Sequence, residues 1–196
     1  MPDGTKLERA LAAAAEDIAA EGKRFALVGG LAVSVRAEVR FTRDVDLAVA
    51  VDDDTAAESL VYALRSRGYT TVASVEHEAQ SRLATIRLRS PQGVKVDLLF
   101  ASSGIEAETI ARATVVALPS VGAVPIARAE ELLSLKVLSM SDERLQDRID
   151  ARSLLRVNVD LDLDCVRDNL RLIAERGYAR KQDLAAKLAL LLETSH

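Results

Sequence analysis

From Lys6 to Glu21 the apolar residues Leu7, Leu11, Ala14, Ala15 and Ile18 recur at helical spacing, and Gly22 follows as a stop. A first helix is expected there. The apolar run Phe25 to Val28 ends in Gly29-Gly30, and Leu31 to Glu38 reads as a short helix, so the unit is strand, glycine turn, helix. Asp44 to Val49 alternates as a strand does, and Asp52-Asp53-Asp54 can cap a helix running to about Arg67. Beyond Gly68 the period shortens to strands over Thr70 to Val75, Leu83 to Arg89 and Val94 to Phe100, the last two joined by the turn Ser90-Pro91-Gln92-Gly93 as a hairpin. A helix from Gly104 to Ala113 and extended pieces over Thr114 to Leu118 and Val121 to Ile126 follow. From Arg128 onward the pattern is helical throughout: Ala129 to Met140, Asp142 to Val157, Asp162 to Glu175 and Gln182 to Glu193. The expected class is α+β, a mixed sheet flanked by helices (1–126) followed by a C-terminal helical bundle (127–196).

The chain has 196 residues, 49% of them hydrophobic, which fits one mid-sized unit or two small ones sharing a core. No run approaches the roughly 18 apolar residues of a membrane span, and MPDGTKLERA leads into no signal-peptide core, so no membrane contact and a cytoplasmic location are expected. A net charge of −4 gives no overall basic field, and any nucleic-acid contact needs a local patch. Aromatic content of 3% without Trp argues against base-stacking platforms. Cys165 alone makes no internal disulfide, and with only His77 and His196 the chain lacks material for a zinc site. Cys165 reads as a packing residue and His77, beside Glu76 and Glu78, as a surface histidine.

The chemistry concentrates between Val28 and Asp46. Glycines let a backbone approach closely, and N–H groups at a helix start attract phosphate. Asp44 and Asp46, two apart on a strand, share a face and can jointly hold Mg²⁺ as hard oxygen ligands. The plain alternative is an ordinary turn and an edge strand facing solvent. Arg40 and Arg43 stand ready to neutralise the carboxylates or a bound triphosphate. Asp97 interrupts the apolar run Val94 to Phe100, and is either buried and paired or facing water on an edge strand. Lys136 shares a helix face with Leu132, Leu133 and Met140, and either snorkels to solvent or points into a cleft to meet a triphosphate. On that basis Lys136→Met is expected to keep the helix packed. Arg144, Arg148, Arg152 and Arg156 form a ridge that either tracks an RNA backbone or lies solvated among local ion pairs. Arg82, Arg87 and Arg89 could form a second patch.

These residues resemble the nucleotidyltransferase superfamily that shares the DNA polymerase β fold, with its hydrophobic-Gly-Gly/Ser and later Asp-hydrophobic-Asp. The closer resemblance is to the AbiEii and MenT-like toxins, whose Gly-Gly followed by Arg-x-Ser/Thr-x-Asp-hydrophobic-Asp is matched by Gly29, Gly30, Arg40, Thr42, Asp44 and Asp46. Their Leu-x-x-Leu-Lys helix and following Arg/Asp-rich segment are matched by Lys136 and Arg144-x-x-Asp147-Arg148-x-Asp150. The resemblance implies a Mg²⁺-dependent enzyme that transfers NMP from an NTP to the 3′ end of tRNA, blocking aminoacylation, and is restrained by a cognate antitoxin. It places NTP on Gly29, Gly30, Arg40, Arg43 and Lys136, and metal on Asp44 and Asp46. Asp97 becomes a third ligand or the general base, and Asp147 orients Lys136 or a substrate. Thr42 becomes a regulatory position, expected on the strand face of the metal pair, where phosphorylation would block the site. A small molecule of aminoglycoside type, a protein side chain, or nucleotide binding without chemistry remain as alternatives.

Overall fold

The computed structural model describes residues 4–77 and 82–194; His196, Glu78 and the side chain of His77 lie outside this description. The elements run α1 (Lys6–Ala20), β1 (Phe25–Val28), α2 (Gly29–Arg36), β2 (Asp44–Val49), α3 (Asp54–Ser66), β3 (Thr70–His77), β4 (Arg82–Arg89), β5 (Lys95–Leu99), α4 (Glu106–Arg112), β6 (Thr114–Leu118) and β7 (Gly122–Ile126). Four helices follow: α5 (Ala129–Ser139), α6 (Leu145–Val157), α7 (Leu163–Glu175) and α8 (Leu184–Glu193). Polar caps set several starts. Thr5 and Glu8 close a capping box on α1, and Asp53, Asp162 and Asp183 accept N–H bonds at the starts of α3, α7 and α8. Two starts differ from expectation. The glycine pair forms the first residues of α2 instead of preceding it, and α6 begins at Leu145, three residues after Asp142.

Seven strands form one mixed sheet in the order β3-β4-β5-β2-β1-β7-β6. β4 and β5 make the expected antiparallel hairpin, β2 runs parallel to β5, and β1 lies antiparallel to β2. The sheet interior is therefore β5-β2-β1. Neither Asp44 and Asp46 on β2 nor Asp97 on β5 sits on an edge strand, so the edge-strand alternative fails for all three. Alternation sends Val45, Leu47, Val96 and Leu98, all fully buried, to one face, with Leu27 of β1 in register opposite Leu47. Asp44, Asp46 and Asp97 point to the other.

Buried side chains form one cluster reaching from Leu11 of α1 to Leu191 of α8. Helix α5 is buried nearly all round, which is why its sequence has little amphipathic contrast. It contacts α2, α6, α7 and α8, and so sets the helical half beside the carboxylate face.

Core burial outweighs local caps in this arrangement. Leu60, at 1% exposure, should lose about 2–5 kcal/mol on change to Ala. Asp53→Ala, which removes only the α3 cap, should cost about 1 kcal/mol. Urea unfolding of the two variants measures the difference.

Candidate active site

Register determines the floor of the site. Asp46 lies opposite Asp97 across the parallel β2–β5 pair, and Arg87 lies opposite Asp97 across β4–β5. Three carboxylates and one guanidinium thus share a small area of one sheet face. Asp97 is 7% exposed and both its oxygens accept from Arg87, Nε at 2.8 Å and Nη2 at 2.6 Å. Asp44 has a looser partner in Lys95 at 3.8 Å. Among the described residues, no cation pairs directly with Asp46. Burial, then the charges of Asp97 and Asp44, push its carboxyl up to about 6, against the opposing influence of Lys136 and the Gly30 N–H.

Gly29 is sterically required, and Gly30 gives room to the Arg40 and Thr42 side chains. Gly29 has φ +66°, a left-handed conformation, and a Cβ there would collide with the Asp46 carboxylate. A Cβ on Gly30 would strike the Arg40 guanidinium and come within 2.9 Å of Thr42 Oγ1. The pair lets α2 start directly against the acids, and the N–H of Gly30 serves Asp46. Thr42 precedes β2 and lies in the 37–43 loop, so strand alternation does not orient it; contact with Gly30 brings it to the cleft.

The helical half supplies the wall. Lys136 does not snorkel. It is 8% exposed, and its Nζ lies 2.7 Å from Asp147 Oδ1 and 2.7 Å from Asp150 Oδ2. Asp150 also pairs with Arg40 at 2.7 Å and accepts from Gln146, while Arg144 pairs with Asp147 at 2.8 Å. Burial works to raise the Asp150 carboxyl, but bonds from Lys136 and Gln146 and the charges of Lys136 and Arg40 hold it below its ordinary value. Arg40 therefore answers Asp150 of α6 and not the β2 acids. Arg43 stacks over the Phe41 ring at 5.1 Å.

One open cleft of about 1020 Å³ is lined by Gly29, Gly30, Arg40, Thr42, Arg43, Asp44, Asp46, Asp97, Lys136 and Asp147, all of them marked out by the sequence. Asp150 stands behind this wall, holding Lys136 and Arg40. Sequence reasoning missed Arg87 as the partner of Asp97, and it missed Arg180 altogether. Arg180 reaches the cleft from the α7–α8 loop, its guanidinium lowered by burial and by Arg144. A loop arginine 83 positions from Asp97 carries no periodic signal that would place it there. The supposed Arg82/Arg87/Arg89 patch divides, with Arg82 near Asp54, Arg89 on the Gly93 carbonyl, and Arg87 alone in the cleft. Among the described residues no three His, Cys, Asp or Glu side chains are grouped to enclose a metal. Asp44 and Asp46 form an open donor pair of hard oxygens. The raised Asp46 carboxyl marks a place where a cation would relieve like-charge repulsion.

Over residues 9–193 the sequence matches the family described as nucleotidyl transferase AbiEii toxin, Type IV TA system. The chain belongs to that family. No curated protein matches it in sequence. Among solved structures it is similar to an antigenic nucleotidyltransferase-like protein from Paracoccidioides brasiliensis, at 19% identity and TM-score 0.55, covering 94% of this chain and 92% of that one. It is also similar to ANT(2")-Ia in complex with adenylyl-2"-tobramycin, at 13% identity and TM-score 0.51, covering 86% and 95%. These likenesses show the polymerase β-like nucleotidyltransferase fold. No helix among the described residues of this AbiEii family member is long and apolar enough to cross a membrane.

Two consequences are measurable. Because native Asp46 binds its proton more tightly than the unfolded chain, stability falls as pH rises from 3.8 to about 6, and the cost persists above it. With chelator present, Asp46→Asn should raise Tm at pH 7.5 by a few degrees, on the order of 1–2 kcal/mol, and the gain should vanish near pH 4. Lys136→Met, contrary to the expectation from sequence, should cost about 3 kcal/mol in urea unfolding, since it leaves Asp147 and Asp150 with less compensation.

Proposed function

We propose that this AbiEii family member is a Mg²⁺-dependent nucleotidyltransferase that transfers NMP from an NTP to the 3′ end of tRNA, releasing pyrophosphate. The modified tRNA would no longer be aminoacylated, and a cognate antitoxin would restrain the enzyme. The convergence of the glycine pair, three carboxylates and a buried lysine on one cleft carries the reading. Family membership supports the transferase class, and the motif's resemblance to MenT-like toxins supports tRNA as acceptor. Asp44 and Asp46 would hold Mg²⁺, which when bound supplies Lewis-acid stabilisation of the transferring phosphoryl group.

The chain's own residues perform the remainder. The small Gly29-Gly30 backbone admits the phosphates close to α2, and Lys136, fixed by Asp147 and Asp150, contributes positive charge at the cleft wall. Arg40 and Arg43 complete the basic side of the nucleotide site. The acceptor hydroxyl oxygen attacks the α-phosphorus in line, the bond to the bridging oxygen breaks, and pyrophosphate carries the electron pair away. Asp97 would take the hydroxyl proton once Arg87, which holds both its oxygens, releases one of them. Thr42 is the proposed regulatory position: a phosphate on its hydroxyl would add roughly −1.5 to −2 charge in the cleft that Asp44 and Asp46 line and compete for Arg40.

Purified protein incubated with Mg²⁺, total tRNA and each labelled NTP in turn should label tRNA with at least one nucleotide. Asp44→Ala and Asp46→Ala should each abolish labelling and growth inhibition, and wild-type activity in both would remove the proposal. Thr42→Glu should be inactive, while Thr42→Val keeps much of the activity.

A further inference from the structure

We propose that the hollow between α6 and α8 is a second anion site, which takes the phosphodiester backbone of the RNA acceptor as it leaves the cleft. The inference rests on the RNA-acceptor reading above. The hollow holds about 370 Å³ and shares no lining residue with the catalytic cleft. Arg148, Arg152 and Lys187 line it, and among its described lining residues Asp142 is the only carboxylate.

The ion pairing at this hollow is incomplete. Asp142 has a fully exposed side chain and meets Arg148 at 3.4 Å, a solvent-screened contact of little worth. Arg152 bonds to the hydroxyl of Thr194 at 3.1 Å. Lys187 donates to the Met140 carbonyl at 2.7 Å and to the Gln182 side-chain oxygen at 2.5 Å, both neutral acceptors. Among the described residues, neither Arg152 nor Lys187 pairs with a carboxylate. Burial lowers the Lys187 ammonium, with the charges of Arg180 and Arg148 adding to it and that of Asp147 opposing it.

The remainder of the arginine ridge is already engaged. Arg144 pairs with buried Asp147, and Arg156 pairs with Glu38. Only the middle two arginines face the hollow. Arg144 lines the catalytic cleft, and Arg148 and Arg152 follow it by one and two turns of α6, about 6 and 12 Å along the axis. A strand with its 3′ end at Asp46 and Asp97 passes Arg144 and then meets the two guanidiniums, whose planar donors match phosphate oxygens. In a protein of net charge −4, a polyanion needs such a local site.

The test uses the full chain carrying Arg148→Gln and Arg152→Gln together, both solvent-facing positions outside the catalytic cleft. Fluorescence anisotropy with labelled total tRNA across a salt series, and transfer kinetics, are compared with wild type. The variant should bind tRNA about tenfold more weakly, and its slope of log affinity on log salt should fall by about one to two. KM for tRNA should rise, with KM for NTP unchanged. Wild-type affinity and slope in the variant, with transfer intact, would overturn the second site and leave the proposed function standing. A wild-type protein that neither binds nor labels tRNA would instead remove the RNA-acceptor reading, and this inference with it.

Discussion

Like-charge repulsion between Asp44, Asp46 and Asp97 is the constraint around which the site is organised. Parallel pairing of β2 with β5 puts Asp46 opposite Asp97, and two-residue spacing brings Asp44 to the same face. Unrelieved, such a cluster opposes folding. Arg87 grips Asp97, Lys95 approaches Asp44, and the start of α2 offers an N–H to Asp46. These partners leave Asp46 incompletely compensated, and its raised carboxyl records the deficit. A site with that residual demand for positive charge is suited to a cation held by hard carboxylate oxygens.

A second network joins the two halves of the chain. Arg40 from the 37–43 loop meets Asp150 of α6, which meets Lys136 of α5, which meets Asp147, which meets Arg144. Buried ion pairs of this kind contribute little net stability relative to apolar packing, yet they tolerate few geometries. The chain of contacts holds the loop carrying Thr42 and Arg43 against the helical wall. It also explains how a lysine comes to lie on the apolar side of α5. Its charge is matched within the protein, and its ammonium lies at the cleft wall.

Much of this was legible in the linear pattern. Helical and strand periods located all fifteen elements of the described residues, because amphipathic spacing reflects which side each element buries. The hairpin of β4 and β5 followed from its Ser90-Pro91-Gln92-Gly93 turn. Errors fell where local signals were ambiguous. Glycines that read as a turn became the first residues of α2, and Thr42 fell short of the strand. The basic ridge of α6 read as a unit, whereas its members divide among Asp147, the hollow and Glu38.

The sequence by itself determined the element order, the mixed sheet followed by helices, and a set of polar side chains that the fold gathers in one cleft, because periodicity and motif spacing are local properties. Tertiary structure decided which of those charges neutralise one another. Asp97 could belong to an edge or an interior strand until β5 paired with both β4 and β2. Lys136 could snorkel or be clamped until α6 brought Asp147 and Asp150 against it. Arg180 and Lys187 acquired meaning only when the α7–α8 loop reached the cleft and α8 packed against α5. Strand neighbours and long-range ion pairs depend on register and helix packing between residues far apart in the chain, and no local pattern encodes those distances.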